Sequence, residues 1–189
     1  MEVAYANAKK SYDEGGVPIG AALVKQAEEA ERQNDWETAK ELYVRAGAVY
    51  RIARFPIIRS KLSRQAWEAG KAAYLKGGQY LDPPNQEVMM LFQYANSSAG
   101  DESRDIPAHP RIPNVKKPER GWPVLLFICG LDAYRPDFTD GMDAYTKAGF
   151  ATLSVEIPGT SDSPAAPQDP QSPDRLWSSV LDWISSKRA

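Results

Sequence analysis

The sequence predicts an α/β fold in which a helical cap precedes a hairpin and parallel strands joined by crossover helices. Three observations carry that expectation. Apolar residues recur at helical steps from Lys25 to Lys76, a strand-like run near Glu87 is answered by a short return at Ile106, and beyond Pro123 two apolar runs alternate with amphipathic segments.

In "KQAEEAERQNDWETAKELYVRAGAVYRIARF", Ala27, Ala30, Leu42, Ala46, Val49, Tyr50 and Ala53 recur at the spacing of one helix face. Asn34-Asp35 interrupts the pattern. Asp35 is placed to cap a helix beginning at Trp36, because a short carboxylate there accepts an otherwise orphaned backbone N–H. Pro56 ends this helix, and "SKLSRQAWEAGKAAYLK", Ser60 to Lys76, predicts a third that stops at Gly77-Gly78. A helical-hairpin repeat of about 34 residues is the competing reading, but one imperfect pair cannot build the continuous core that such arrays need.

After Pro83-Pro84 the period changes. A strand from Glu87 to Tyr94, a polar turn from Asn96 to Asp105 and a return bearing Ile106 predict an antiparallel hairpin, followed by a Pro-rich connection through Pro118. "WPVLLFIC" reads as a strand buried on both faces and broken by Gly130. A helix from Thr139 to Ala148 ends at Gly149, "FATLSVEIPGT" is a second buried strand, and a Pro-rich loop leads to a last helix from Asp174 to about Ser186. Strand, helix, strand, helix in this order calls for a parallel sheet with right-handed crossovers.

Composition narrows the partners. A net charge of −2 without a dense Lys/Arg run speaks against nucleic acid, and the longest apolar run, Pro123 to Cys129, is far too short to span a bilayer. The start Met1-Glu2 does not read as a secretory leader, and a single Cys suits a reducing compartment, so a cytoplasmic chain is expected.

Two resemblances divide the chain. "YDEGGVPIGAALV", Tyr12 to Val24, resembles the opening of a deaminase acting on free cytosine, whose Gly-Gly-Val-Pro-Ile-Gly turn enters a first strand. Such an enzyme holds zinc on a His or Cys plus a Cys-x-x-Cys pair. With one His, His109, and one Cys, Cys129, this chain cannot assemble that site, so no metal or other cofactor is expected. From about Asp35 to Arg188, "ELYVRAGAVYRIARFP", "WPVLLFICGLDAYR", "VEIPGTSDSP" and "SPDRLWSSVLDWI" resemble the fungal yellowish-green-type α/β-hydrolases that shorten polyketides in pigment and melanin synthesis. These are relatives of the bacterial fermentation-respiration switch protein and of a C–C hydrolase acting on a pseudooxynicotine. The expected organisation is a deaminase-like segment at 1–24, a helical cap at 25–84, and the N-terminal half of an α/β-hydrolase core at 85–189.

The resemblance implies hydrolysis of a C–C or ester bond in an aromatic polyketide by a Ser-His-Asp triad. That nucleophile sits in a Gly-x-Ser-x-Gly turn, and none occurs here. The last helix corresponds to the one preceding the nucleophile strand, so the chain is expected to be an incomplete copy, inactive alone. Ser161 in "GTSDSP" lacks the second Gly and a following helix, and reads as a loop serine. His109, among Pro107, Pro110 and Pro113, reads as an exposed or loop histidine. In this fold the loop after the first parallel strand supplies a backbone N–H to the oxyanion hole, which makes Gly130, Leu131 and Asp132 the candidates. Glu156 and Asp162, at the end of the second parallel strand, read as members of a hydrogen-bonded turn. Trp36, Tyr43, Tyr50, Trp67 and Tyr74 are candidates to line a pocket for the polyketide, against the alternative that they are core. The competing functional reading is a non-catalytic module binding a ligand or partner chain, and a deaminase remnant is the third. An open edge along Val124 to Cys129 is expected to promote self-association.

Overall fold

The computed structural model describes residues 2–99, 102 and 104–188, with side chains from Gly15 to Lys187 apart from the residues left out between 99 and 104. The chain divides into two compact units, Met1–Pro84 and Asn85–Ala189.

The first unit holds α1 (Glu2–Arg32), α2 (Trp36–Arg54) and α3 (Lys61–Gly78). The Asp35 carboxylate accepts the Thr38 N–H at 3.2 Å, as its position in the sequence implies. At α3, the Ser60 hydroxyl accepts the Ser63 N–H at 3.0 Å while the Ser63 hydroxyl accepts the Ser60 N–H at 2.9 Å, a reciprocal cap. Ala27, Ala30, Ala39, Ala46, Ala53, Ala66 and Ala73 form most of the core, with Tyr43 and Tyr50 as its large members.

One expectation is overturned here. The Gly-Gly-Val-Pro-Ile-Gly stretch does not turn into a strand, because α1 runs unbroken through it with Pro18 inside the helix. Packing outweighs the turn-forming tendency of these residues. A Cβ on Gly20 would lie 2.6 Å from the Tyr50 ring, and one on Gly70 of α3 would lie 2.9 Å from the Tyr50 Cβ. Glycine therefore lets α1 and α3 close on the same buried tyrosine. Gly47, within α2, has open space where its Cβ would be. The same substitution is thus expected to act with opposite sign at the two positions. Gly47→Ala should stabilise the unit by about 0.5–1 kcal/mol, by removing backbone freedom from the unfolded chain. Gly20→Ala should destabilise it by about 1–2 kcal/mol through overpacking. Urea unfolding followed by far-ultraviolet circular dichroism measures both; equal signs would refute the account.

The second unit contains β1 (Val88–Met90), β2 (Ile106–Arg111), β3 (Val124–Ile128), a 3-10 turn (Arg135–Phe138), α4 (Thr139–Lys147), β4 (Ala151–Val155) and α5 (Ser172–Arg188). The sheet order is β1-β2-β4-β3. The hairpin is present, with Val88 opposite Ala108, and β3 pairs with β4 in parallel, Val124 opposite Ala151. β2 meets β4 antiparallel, His109 opposite Ser154, so the sheet is mixed.

The expected Pro-rich connection begins later than the sequence suggests, because Ile106–Arg111 is a wholly buried strand. Proline fits there for a reason visible in the register. Residues 106–108 pair only with β1, and 109–111 only with β4, so each half of β2 is an edge on one side, where a missing N–H is tolerated. His109 is accordingly not an exposed loop residue but fully buried.

β4 is buried throughout, whereas β3, expected to be covered on both faces, is half-buried and ends at Ile128, 55% exposed. Its place at the end of the strand order explains the difference. Val124 and Leu126 pack against the core cluster that includes Leu153, Val155, Leu176, Val180 and Ile184. Phe127, on the other face, meets Phe138 and Tyr145 at ring distances of 5.9 Å. Helices therefore cover both faces of the parallel pair, α5 on one and α4 on the other.

Candidate functional site

The carboxyl ends of β3 and β4 lie side by side, the edge at which open α/β sheets receive ligands. The loop leaving β3 is tied at both bases to consecutive residues of the β4 end. The Cys129 N–H donates to the Val155 carbonyl at 2.9 Å, and the Arg135 N–H donates to Glu156 Oε1 at 3.0 Å. Between these ties the Gly130 N–H donates to the Ala133 carbonyl at 3.1 Å, closing a turn that leaves Leu131 68% exposed and Asp132 exposed. The Tyr134 N–H then donates to Asp137 Oδ2 at 2.9 Å and starts the 3-10 turn.

Arg135 anchors the site. Its side chain is fully buried, and Nη1 donates to the Glu156 carboxylate, to Asp162 Oδ1 at 2.8 Å and to the Pro107 carbonyl at 3.4 Å. Nη2 donates to Glu87 Oε1 at 3.1 Å and Asp162 Oδ2 at 3.4 Å. His109 Nε2 stands 3.5 Å from the same Glu87 oxygen. Glu156 and Asp162 are thus more than turn residues; both are fixed on one guanidinium.

The electrostatics follow from burial. Loss of solvent pushes the His109 imidazole down to about 4, Glu87 opposing the shift and Arg135 reinforcing it, so the ring is neutral at physiological pH. Burial raises the Glu156 carboxyl above the ordinary carboxylate range, against the attraction of Arg135 and with repulsion from Asp162. Burial likewise drives the Cys129 thiol far above its usual value, which makes it an inert core group rather than a nucleophile.

Ser161 sits at φ 52, a left-handed conformation, and its hydroxyl donates to Asp162 Oδ1 at 3.2 Å. Turns and bends follow it as far as α5, so no strand-to-helix elbow presents its oxygen. Among the described residues no group of His, Cys, Asp and Glu side chains is arranged to hold a metal ion.

The aromatic candidates separate. Tyr43, Tyr50 and Trp67 are buried in the helical unit and Tyr74 is half-buried. Trp36, 48% exposed, stacks on Tyr80 at 5.9 Å and borders a shallow depression with Glu28, Glu31 and Arg32. Tyr43 and Tyr80 both donate to Glu31 there, at 2.9 and 2.6 Å.

Sequence reasoning missed Arg135, Glu87 and Glu102. Arg135 closes the loop seven residues beyond the end of β3, and nothing in its local sequence marks it as buried. Glu102 left no signal either. It is fully buried, accepting the Asn96 and Ala166 N–H groups at 2.8 and 3.1 Å and a forked pair from Arg175 at 2.9 and 2.7 Å. Burial works to raise its carboxyl, but these donors outweigh it and hold the group below its ordinary value.

A mixed sheet ordered β1-β2-β4-β3, with helices on both faces of its parallel pair, is consistent with an incomplete α/β-hydrolase core. The chain belongs to the FrsA-like esterase family, whose model, described as Esterase FrsA-like, matches residues 5–183. The chain is similar in structure to the 2,6-dihydroxy-pseudo-oxynicotine hydrolase, with a TM-score of 0.67 and 17% identity over 92% of this chain and 46% of that one. AbyA5 superposes with a TM-score of 0.57 and 18% identity over 88% of this chain and 42% of that one. The chain therefore spans less than half the length of these structures. No curated protein sequence matches it. Among the described residues no helix is long and apolar enough to cross a membrane.

Proposed function

We propose that this chain supplies the helical unit and the oxyanion side of an α/β-hydrolase that cleaves an ester or C–C bond in an aromatic polyketide. The observation that supports the reading is the 130–134 loop, held at both bases on the end of β4 and following a parallel strand, as the oxyanion loop of α/β-hydrolases does. The Leu131 and Asp132 N–H groups are its donors toward the developing negative charge. One such donor is worth about 10²–10³ in rate, and only beside a nucleophile. The family's nucleophile turn, Gly-x-Ser-x-Gly, has no counterpart in this sequence, so the chain alone is expected to be inactive.

The reading is tested by giving the purified chain p-nitrophenyl acetate and a serine-directed fluorophosphonate. Turnover at background and no labelling are expected, with Ser161→Ala changing neither. Fusing the chain to a family segment carrying the nucleophile turn should produce turnover. Stoichiometric labelling of the unfused chain would contradict the proposal.

We also propose that, in isolation, the outer edge of β3 pairs with the same edge of a second copy. The strand contains no charge, among the described residues its outer side has no neighbour in the sheet, and Ile128 is exposed, conditions under which an edge templates pairing. Ile128→Lys leaves the core-facing Leu126 intact and is expected to shift sedimentation toward monomer. A monomeric wild-type chain would rule this out.

A further inference from the structure

The 130–134 loop poses a physical problem. Leu131 and Asp132 are exposed and receive little packing, yet an N–H that stabilises developing charge must already be in place when the charge appears. Beyond the Gly130–Ala133 bond that closes the turn, the loop is tied to the sheet at its two ends. Upstream, the hold is the ladder bond from Cys129 to Val155. Downstream it is Arg135, whose backbone N–H and guanidinium both engage the Glu156 carboxylate, the N–H bond measuring 3.0 Å.

The surrounding charges make this anchor unusually determinate. Glu156, Asp162 and Glu87 converge on one guanidinium from the end of β4, the following loop and the approach to β1, and the Pro107 carbonyl of β2 completes the set. A buried ion pair contributes little net stability over well-packed apolar residues, and what it supplies is one geometry in place of several. The planar fork of arginine suits that purpose, since it fixes direction at two carboxylates at once.

We propose that Arg135, seated on Glu156 and Asp162, is the positioning residue of the oxyanion loop: it sets the course of residues 130–134 and thereby the placement of the Leu131 and Asp132 N–H groups. This rests on the functional reading above and deepens it, because it names the residue on which the preorganisation depends. Arg135 touches no reacting atom and acts through the loop it ends.

The test is backbone 15N relaxation of the full chain, which reads the loop without requiring turnover. In the wild type, Leu131 and Asp132 are expected to be rigid despite their exposure, with order parameters near about 0.85. In Glu156→Gln, which keeps an acceptor for the Arg135 N–H but removes the charge, and in Arg135→Lys, which keeps the charge but loses the fork, they should fall below about 0.6. Amides of β4 should stay rigid in both variants, and Arg135→Lys should retain more loop order than Arg135→Met. Mobile Leu131 and Asp132 in the wild type would overturn the proposal. So would a loop that stays rigid in both conservative variants, or a loop and β4 that loosen together, which marks a merely structural role. Failure of the fused enzyme to hydrolyse esters would instead bear on the functional reading and leave this result standing.

Discussion

Arg135→Met is expected to lower the unfolding free energy of the second unit by about 3–5 kcal/mol, a large share of the roughly 5–15 kcal/mol that stabilises a domain. The cause is not the lost attraction alone. Glu156 and Asp162 would remain facing each other with their shared cation gone, one of them at 1% exposure, and a buried carboxyl without its cation must either bear its desolvation cost or take up a proton, each at the expense of stability. Chemical denaturation at pH 7 measures the loss. A second substitution, Glu156→Leu, should recover part of it, since removing both partners is far milder than removing one. A change below about 0.5 kcal/mol for Arg135→Met, typical of surface positions, would mean that the network is solvated in solution.

Acidification should weaken the fold through His109. Its folded-state value, about 4, lies below the value of 6.5 expected when the chain is unfolded. Between the two the unfolded chain binds a proton that the folded chain refuses, so stability falls as pH drops through 6.5 and the loss levels off below about 4. At about 1.4 kcal/mol per unit, the full contribution is on the order of 3 kcal/mol. Other groups titrate nearby. Glu156, raised by burial, acts in the opposite sense, favouring the folded state at low pH and losing that advantage as pH rises. Glu102 and Asp143, both lowered, add acid sensitivity as pH falls through their unfolded values of 4.5 and 3.8, at the acid end of the His109 window and beyond it. The His109 contribution is therefore read as the difference between wild type and His109→Gln. Wild type should lose about 3 kcal/mol more than the variant between pH 7 and pH 4. Parallel pH profiles for the two proteins would show that His109 reaches water.

Much of the architecture is legible in local pattern because the forces that set it are local. Asp35 caps α2 and Ser60 caps α3 through hydrogen bonds spanning three residues, and the Leu176, Val180 and Ile184 face of α5 is a four-residue repeat. The strand-helix-strand order of β3, α4 and β4 is likewise written in alternating period. The glycine after an apolar strand marks where a loop begins at Gly130, but the oxyanion role of Gly130, Leu131 and Asp132 comes from the family resemblance and not from local pattern.

What tertiary structure alone decided depends on contacts between distant segments. The glycine-rich middle of α1 reads as a turn until Tyr50 and Ala53 of α2 are placed against it, where glycine becomes the residue that allows helices to touch. Pro107 and Pro110 read as a loop until the half-and-half pairing of β2 shows where their missing N–H groups do no harm. Burial of His109, and the convergence of Glu87, Glu156 and Asp162 on Arg135, join positions up to 48 residues apart. No periodicity encodes such a meeting, because a charge is drawn into a core by its partners, and the partners are known only once the chain has brought them together.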